Sequence, residues 1–545
     1  MSAKTENEDD VYAKLVKGLV TSVQSETVSE EAERIRAAIH FYLMAWLGEV
    51  EDINPLFKVK ELIGVGSYAE GTKIIEPNEF DYLAVIDDFS KPGLLTIDKG
   101  ESRVYEGLVK VKVEDDNLRS RCSHLCKSGH LQCFQPINFP KSGEHRFGHV
   151  FIEALLKYAK KNGLRWRLGE GTPIYFSGQL NLPSVNKISL VLGGVEYSAP
   201  NVLIYFKYKD REITTDLSPA IRYFQLEDCF KVDDCAGPVF AELVLSRKSL
   251  LLIGTSNESY FKITVTEAEV EYMTRVMKTE HKTIYIFLKY IAKLYQDKVY
   301  NFYPFTSYML KTVCFHHDIN CKAGKKSIRN CLEVVIDDLI VCAEQEYVIS
   351  ILNNHIHLKS NYPDRLLKDY GTSMLTGMKN LCILPHGINT LDAFNEFVWN
   401  VVLEEKQKRD KERDEEKKNT DEIIKKSREK IKREVSKLTD MGFTTDEAES
   451  ALRRALDDPE LALATLKYEA EKRKDKTVME SDVESGKEKR NESLPNTVQS
   501  NVPALNSGAN ETDTSINSTG ESPCVTQHGL TLIITEEVIY ERQKH

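Results

Sequence analysis

Residues 79–86, EFDYLAVI, constrain the fold of this chain more than any other stretch. Two carboxylates stand at the start of an apolar, aromatic run, a pattern that predicts a buried strand. Because successive side chains of a strand point to opposite faces, Glu79 and Asp81 should project together while Phe80 packs behind them. Hard divalent cations prefer oxygen ligands, so the start of this strand is a candidate metal site.

A glycine–serine pair precedes this strand in the stretch GVGSYAEG. Gly66 permits a close backbone approach, and Ser67 with the following amides could bind a phosphate. Two carboxylates leave a two-metal site short of ligands, and Asp216, in a predicted hairpin that ends at Pro219, supplies a third. Such a triad can hold two ions about 3.5 to 4 Å apart, one activating an attacking hydroxyl and the other neutralising a leaving pyrophosphate. The pattern therefore predicts nucleotidyl transfer.

The length of 545 residues predicts about two to four folded units. Short β-branched and aromatic runs alternate with helical segments in the first half, which predicts a mixed sheet, and helical periodicity dominates afterwards. The expected segments are a flexible N-terminus at 1–29, a sheet-containing core with a long leading helix at 30–260, a helical lobe at 261–403, a charged helical linker at 404–434, a three-helix domain at 435–471 and a disordered tail at 472–545.

Composition excludes few functions. The net charge of −11, from 73 basic and 84 acidic residues, gives no overall footprint of a nucleic-acid-binding protein, although a local basic face remains compatible with it. The polar, acidic N-terminus and the lack of an apolar run of about 20 residues predict neither a signal peptide nor a membrane span. Eleven cysteines without a disulfide-framework spacing favour a reducing compartment, so we expect a cytoplasmic protein.

The stretch GSYAEGTKIIEPNEFDYLAVI resembles the signature of cyclic GMP-AMP synthase and the cGAS-like receptors, within the male-abnormal family of nucleotidyltransferase-fold proteins. The resemblance covers residues 30–404 and implies a bilobal α+β nucleotidyltransferase fold. It implies that Glu79, Asp81 and Asp216 are catalytic and bind two Mg²⁺ or Mn²⁺ ions, and that Ser67 holds a triphosphate.

Later segments, YFKITVTEAEVEYM, FLKYIAKLY and FTSYMLKTVCFH, resemble the same family in order. They imply that Lys289 contacts phosphate and that Tyr308 stacks on a base. A solvated lysine and a core aromatic on amphipathic helices are the alternative interpretations. The implied nucleotide-binding set is Gly66, Ser67, Lys262, Thr264, Thr266, Lys289, Ser307 and Tyr308.

The resemblance implies an enzyme that joins two nucleoside triphosphates, ATP, GTP or another, through a linear intermediate into a cyclic dinucleotide. Two pyrophosphates would be released. The product would act in innate immune, antiviral signalling through a STING-type receptor after the enzyme senses a ligand. Two alternatives stay open: a catalytically silent member that acts as a ubiquitin-linked scaffold, and a linear oligonucleotide synthase.

One feature of the family is missing from this sequence. Vertebrate DNA sensors carry a zinc-binding thumb of one histidine and three cysteines before the helix that IYIFLKY resembles, whereas EYMTRVMKTEHKTIYIFL has a histidine and no cysteine. Its absence favours double-stranded RNA over DNA as the activating ligand, since helical RNA is recognised through shape and phosphates. A solvated charged face is the alternative for the basic candidates, which are CKAGKKSIR around Lys325 and Lys157, Lys160, Lys161, Arg165 and Arg167.

Two cysteine-containing runs have residue types that suit tetrahedral zinc. CSHLCKSGHLQC offers Cys122, Cys126, His130 and Cys133, although the spacing is not that of a standard finger. Reduced cysteines in a variable loop are the alternative interpretation. CFHHDINC provides a weaker set, Cys314, His317 and Cys321.

The stretch LTDMGFTTDEAESALRRALDDPELALATL resembles a ubiquitin-associated (UBA) domain over its whole three-helix length. The resemblance implies an apolar patch for ubiquitin, formed by Met441, Gly442, Phe443 and Leu466; the alternative is that these side chains only form the small core. Farther on, residues 530–540, LTLIITEEVIY, are strand-like and could dock on a partner's sheet, with a solvated terminus as the alternative.

Overall fold

The computed structural model has a mixed α/β architecture, as the sequence predicts. Two compact units divide the chain, residues 1–422 and 423–545. Within the described part of the chain, no helix combines the length and the apolar character needed to cross a membrane. The structure describes residues 7–103, 107–132, 147–168, 174–177, 187–198, 201–255, 260–300, 305–321, 327–354, 356–358, 371–455 and 458–487.

The first unit begins with a helix where the sequence analysis expected a flexible segment. Helix α1 spans Glu8–Gln24 and buries Tyr12, Val16 and Leu19 at helical spacing. The prediction of a flexible N-terminus at 1–29 is therefore wrong over residues 8–24, and residues 1–6 lie outside the described residues. Its acidic residues lie in the first turn, where negative charge favours a helix N-terminus, and do not indicate a solvated tail.

The long leading helix α2 is present as predicted and spans Glu30–Ile53. Ser29 caps it, since the Ser29 hydroxyl accepts a hydrogen bond from the Ala32 amide. The predicted apolar stripe, including Ile35 and Ile39, is buried. The remaining helices of the first unit are α3 Gly66–Ala69, α4 Asp116–Arg121, α5 Phe147–Lys161, α6 Pro238–Arg247, α7 Thr266–Glu271, α8 Thr279–Tyr295, α9 Ser307–Asn320, α10 Ile328–Gln345, α11 Thr372–Lys379 and the first part of α12, Leu391–Asp440.

Thirteen strands of the described residues form one sheet in this unit. Most of the pairing is antiparallel, but β2 and β11 run parallel. Strands β14 and β15 form a separate hairpin. The strands are β1 Val59–Val65, β2 Glu79–Ile86, β3 Leu95–Arg103, β4 Leu108–Val113, β5 Cys126–Lys127, β6 His130–Leu131, β7 Arg165–Leu168, β8 Ile174–Ser177, β9 Val191–Ser198, β10 Asn201–Tyr208, β11 Arg211–Tyr223, β12 Leu250–Gly254, β13 Phe261–Thr264, β14 Val348–Ile349 and β15 His357–Leu358.

The sheet and the helices that follow it share one core. Buried side chains of the strands, such as Phe80 and Phe206, belong to the same apolar cluster as Ile291 of α8 and Phe315 of α9. The helix-rich texture begins after β13, close to the boundary expected from the sequence. The two predicted lobes therefore pack as one compact unit.

The second unit is helical. The charged segment predicted as a helical linker is part of the 50-residue helix α12, and α13, Thr445–Arg454, and α14, Pro459–Lys487, follow. Apolar side chains such as Leu438 and Leu452 form a small separate core. Residues 472–487 are helical, so the prediction of a disordered tail from residue 472 is wrong over this span. Residues 488–545, which include the strand-like segment 530–540, lie outside the described residues.

Candidate functional site

The three predicted carboxylates come from two neighbouring parallel strands. In the register of β2 with β11, Asp81 lies directly opposite Asp216, and Glu79 lies opposite Thr214. Residues paired in this way share a face of the sheet, and so do residues two apart on one strand. The fold therefore brings Glu79, Asp81 and Asp216 together on one face, although more than a hundred residues separate the two aspartates in the chain.

Mutual repulsion and burial make this group a candidate cation site. Burial raises the pKa of Asp81 to about 7, and the neighbouring Glu79 and Asp216 carboxylates add to the shift. Burial and the Glu79 carboxylate also raise the pKa of Asp216. Each shift reflects the cost of ionising an acid that is desolvated and close to other acids. A divalent cation would remove that cost, and carboxylate oxygens are the donors that Mg²⁺ and Mn²⁺ prefer.

Gly66 is required by the geometry of this group. Its backbone has φ +69°, and a Cβ atom placed on it would lie 2.0 Å from Oδ2 of Asp81. No side chain fits in that space, so the close approach that the sequence indicates is made to an aspartate of the site. Ser67 follows Gly66 in the short helix α3.

Two lysines face the carboxylates, and the sequence analysis predicted only one of them. Lys73 Nζ lies 2.6 Å from Oε2 of Glu79. Burial opposes ionisation of Glu79, but the Lys73 ammonium outweighs it and lowers the pKa of Glu79. Burial and the nearby Lys73 charge lower the pKa of the predicted Lys289 to about 8. Lys73 lies in the loop between α3 and β2, where no periodicity indicates the direction of its side chain.

Helix α1 and the residues just after it form hydrogen bonds with the loop that carries Lys73. The Lys73 carbonyl accepts hydrogen bonds from Gln24 Nε2 at 3.1 Å and from Thr27 Oγ1 at 3.0 Å. The Ile75 amide donates to the Val23 carbonyl at 2.7 Å. The segment expected to be flexible therefore holds the loop that carries the Lys73 ammonium group.

A cavity of about 650 Å³ opens beside the carboxylates. The sheet side contributes the glycine–serine turn and the start of β2, and the helices α8 and α9 contribute the opposite wall. Carboxylates with Lys73 thus lie on one side and Lys289 lies on the other, which suits a triphosphate with bound metal. The predicted site residues in its lining are Gly66, Ser67, Glu79, Asp81, Lys289, Ser307 and Tyr308.

A buried ionic network supports the tyrosine of this cavity. Lys311 Nζ lies 2.6 Å from Oε1 of Glu70 and 2.7 Å from Oε2 of Glu269. The Tyr308 hydroxyl donates to Oε1 of Glu269 at 2.8 Å. The ammonium groups of Lys311 and Lys262 lie 4.7 Å and 5.4 Å from the Tyr308 ring centroid. Sequence reasoning missed Glu70, Glu269 and Lys311, because isolated charged residues on helices and in turns normally face solvent.

Two of the predicted nucleotide contacts lie apart from the cavity. Thr264, at the end of β13, and Thr266, the first residue of α7, line a separate narrow depression next to Ser249. Thr266 is buried. These two residues therefore do not line the cavity beside the carboxylates, and their contact with nucleotide stays a prediction.

The predicted basic patch is partly neutralised. Glu49 of α2 pairs with Lys157 at 3.3 Å and with Lys161 at 2.7 Å. In the run CKAGKKSIR, residues 322–326 with all three lysines lie outside the described residues, and Arg329 pairs with Glu8 at 3.4 Å. Three further members of the patch have exposed side chains, one lysine on α5 and two arginines on β7: Lys160, Arg165 and Arg167.

The first predicted zinc set is only partly described. Cys122 Sγ lies 3.7 Å from Cys126 Sγ, whereas His130 Nε2 lies 2.8 Å from Oδ2 of Asp98. Cys133 lies outside the described residues. His130 thus interacts with a carboxylate in this structure.

The second unit exposes part of the predicted ubiquitin patch. Met441 is 60% exposed, Gly442 adopts φ +96° in the turn after α12, and Phe443 packs partly against the small core. Leu466 is 2% exposed. Its assignment to a surface patch is therefore wrong, because this face of α14 packs inward with Ala462.

The geometry defines one candidate site: three carboxylates in register, a glycine–serine turn above them and lysines on the facing wall. Oxygen donors that are costly to ionise without a cation lie next to a cavity of nucleotide size. This chemistry, and not a match to a known family, is the basis for assigning a function. No protein-family model matches the chain.

Proposed function

We propose that this protein is a nucleotidyltransferase of bilobal nucleotidyltransferase fold that joins two nucleoside triphosphates into a cyclic dinucleotide for innate immune signalling. The observation that carries the proposal is the register of Asp81 with Asp216. It gathers a three-carboxylate set beneath Gly66 and beside a cavity that contains lysines. The cyclic product is the part of the proposal that comes from the sequence resemblance.

The residues present fit a divalent metal. Glu79, Asp81 and Asp216 offer only oxygen donors, and burial together with the neighbouring carboxylates raises the pKa of both aspartates. These three residues would hold Mg²⁺ or Mn²⁺. When bound, the metal would lower the pKa of an attacking hydroxyl and stabilise the leaving pyrophosphate.

The other residues of the cavity bind and orient the nucleotide in this proposal. Ser67 and its neighbouring amides donate hydrogen bonds to a phosphate, and Lys289 balances phosphate charge from the opposite wall. Lys73 holds Glu79 through the 2.6 Å ion pair, which fixes one carboxylate of the set. Tyr308 presents its ring to a base while Glu269 anchors its hydroxyl.

The test is product analysis by mass spectrometry. The full chain is incubated with Mg²⁺ or Mn²⁺, the four nucleoside triphosphates, and double-stranded RNA, double-stranded DNA or no polymer. We expect a cyclic dinucleotide that depends on metal and is stimulated by RNA. Asp81→Asn and Asp216→Asn should abolish it, whereas Glu212→Gln, an exposed acid on the same strand β11, should retain it.

The outcomes separate the alternatives. Linear oligonucleotide products would identify a linear oligonucleotide synthase. Stimulation by DNA and not by RNA would identify DNA as the activating ligand. Absence of product and of nucleotide binding under all these conditions would leave a silent scaffold. Product formation by Asp81→Asn would contradict the site itself.

We also propose that the second unit binds ubiquitin through the turn after α12. The exposed Met441 next to the left-handed Gly442 supports this. Met441→Ser should weaken ubiquitin binding in an NMR titration without unfolding the unit. Ile423→Ser, a change at a 66% exposed apolar residue of the same unit, is the matched control. Equal binding by both variants would contradict the proposal.

A further inference from the structure

A second cluster of ligand-type side chains lies in the helical part of the first unit. It consists of His281 in the first turns of α8, His317 in α9, Cys321 directly after α9 and Cys331 in α10. One ligand atom from each residue lies within 4.8 Å of every other. These four residues come from separate parts of the sequence, and neither cysteine-containing run indicates the complete set.

The spacing of the two sulfurs matches tetrahedral coordination. The Sγ atoms of Cys321 and Cys331 lie 3.9 Å apart. A disulfide requires about 2.05 Å. Zinc–sulfur bonds of about 2.3 Å in a tetrahedron place two sulfurs about 3.8 Å apart. The two sulfurs are therefore at the separation of zinc thiolates and not of a disulfide.

The two imidazoles are arranged to complete such a set. The rings of His281 and His317 have centroids 4.8 Å apart and planes inclined by 79°. Near-perpendicular rings can direct one nitrogen each toward a common point without stacking. Two histidine nitrogens and two thiolates form a ligand set of common structural zinc sites.

A carboxylate fixes one of these imidazoles. Nδ1 of His281 lies 2.5 Å from Oδ1 of Asp318, so Nε2 is the nitrogen left for a metal. Asp318 is itself held, because the Tyr272 hydroxyl donates to its Oδ2 at 2.6 Å. A histidine that ligates a metal typically donates its other ring N–H to a carboxylate in this way.

Burial and backbone contacts favour a closed site. His281, His317 and Cys331 are all buried, at 4%, 6% and 3% exposure, and Cys321 is partly buried. The Lys278 ammonium donates to the Cys321 carbonyl at 3.2 Å, which holds the backbone of that ligand. Four protein ligands with little solvent access are typical of a structural metal and not of a catalytic one.

We propose that His281, His317, Cys321 and Cys331 bind one structural zinc ion. The set replaces the weaker set indicated by CFHHDINC: it keeps His317 and Cys321 and takes His281 and Cys331 in place of Cys314. The ion links α8, which carries Lys289, to α9, which carries Tyr308. It thereby fixes both helices of the cavity wall relative to each other.

The test measures zinc in the full chain purified under reducing conditions without added metal. Elemental analysis should give about one zinc per chain, and X-ray absorption should show two sulfur and two nitrogen neighbours. The variant Cys321→Ser with Cys331→Ser should lose the zinc. The matched control, Cys122→Ser with Cys126→Ser, disrupts the competing cysteine pair. It should retain the zinc, because neither residue belongs to the proposed ligand set.

A second measurement on the unmutated protein does not depend on variants that fold. After removal of zinc by a chelator, added Co²⁺ should give the absorption of a tetrahedral thiolate site, and zinc should restore the melting temperature. Failure to retain zinc together with failure to bind added Zn²⁺ or Co²⁺ would overturn the proposal. So would a Cys321–Cys331 disulfide in the purified protein, or zinc lost only from the Cys122–Cys126 variant.

Discussion

At the scale of single residues, the candidate site requires a residue without a Cβ atom at position 66. Gly66 has no Cβ, and Asp81 occupies the space where that atom would be. The sequence indicated a close approach at this glycine because Gly-Ser precedes an acid-bearing strand. It could not indicate the partner, since the contact depends on how β1 meets β2.

We expect Gly66→Ala to abolish metal-dependent nucleotidyl transfer and to lower the melting temperature. A left-handed backbone costs a non-glycine residue about 1 to 2 kcal/mol. The clash with Asp81 adds about 1 to 3 kcal/mol, as overpacking does in a core. Gly93→Ala is the matched control, because Gly93 has φ +80° with no atom within 4 Å of its added Cβ. Equal losses in stability and activity in both variants would contradict this account.

At the scale of elements, strand alternation correctly predicted which carboxylates share a face of the sheet. Composition led to a wrong prediction for the N-terminal segment. Glu79, Asp81 and Asp216 share one face, as alternation and the hairpin predict. The expected end at Pro219 is wrong, because Pro219 pairs with Ala84 and β11 continues to Tyr223. Helix α1 was missed because its acidic first turn was given more weight than its apolar spacing. Lys73 could not be predicted either, because the loop that carries it is held by hydrogen bonds from Gln24 at the end of α1 and from Thr27 beyond it.

We expect Tyr12→Ala to destabilise the first unit by about 3 to 5 kcal/mol, the cost of truncating a large buried aromatic. Tyr12 is fully buried, and its hydroxyl donates to the Leu381 carbonyl at 2.9 Å. Chemical denaturation of the full chain measures the change. Thr21→Ala, at an exposed position of the same helix, should have little effect. An unchanged free energy of unfolding in Tyr12→Ala would instead support a flexible N-terminus.

A capping box in the second unit should make its stability depend on pH. Hydrogen bonds from Thr444 and Arg473 lower the pKa of Glu447 to about 2. Since the pKa is lower in the folded state, the stabilisation is fully present above the unfolded value of about 4.5 and is lost as the pH falls toward 2. Glu447→Gln should therefore lower the melting temperature of this unit at pH 7, with the difference shrinking on acidification. A difference independent of pH would show that the charge does not contribute.

At the scale of the whole first unit, an ionic triad joins the sheet to the helices. Glu70 lies between β1 and β2, whereas Glu269 is on α7 and Lys311 is on α9. The sequence predicted both halves and their order along the chain. It did not indicate this junction, because a buried lysine between two acids becomes visible only when three distant segments pack together.

We expect Lys311→Met to destabilise the first unit by about 3 to 5 kcal/mol, because it leaves two buried carboxylates without their cation. The triple variant Glu70→Gln, Glu269→Gln, Lys311→Met should be more stable than the single variant, since it removes the unpaired charges. Denaturation curves of both proteins measure the difference. A triple variant less stable than the single one would show that packing, and not charge, governs this junction.

The parallel pairing of β2 with β11 also determines when the site can form during synthesis. Antiparallel neighbours such as β10 and β11 pair through a short turn, but β2 must wait until the chain has been made beyond Asp216. Closing so long a loop is slow, and contacts distant in sequence form late. A nascent chain that ends before β11 carries two of the acids and cannot complete the three-carboxylate set. The candidate site should therefore form only after most of the sheet has left the ribosome.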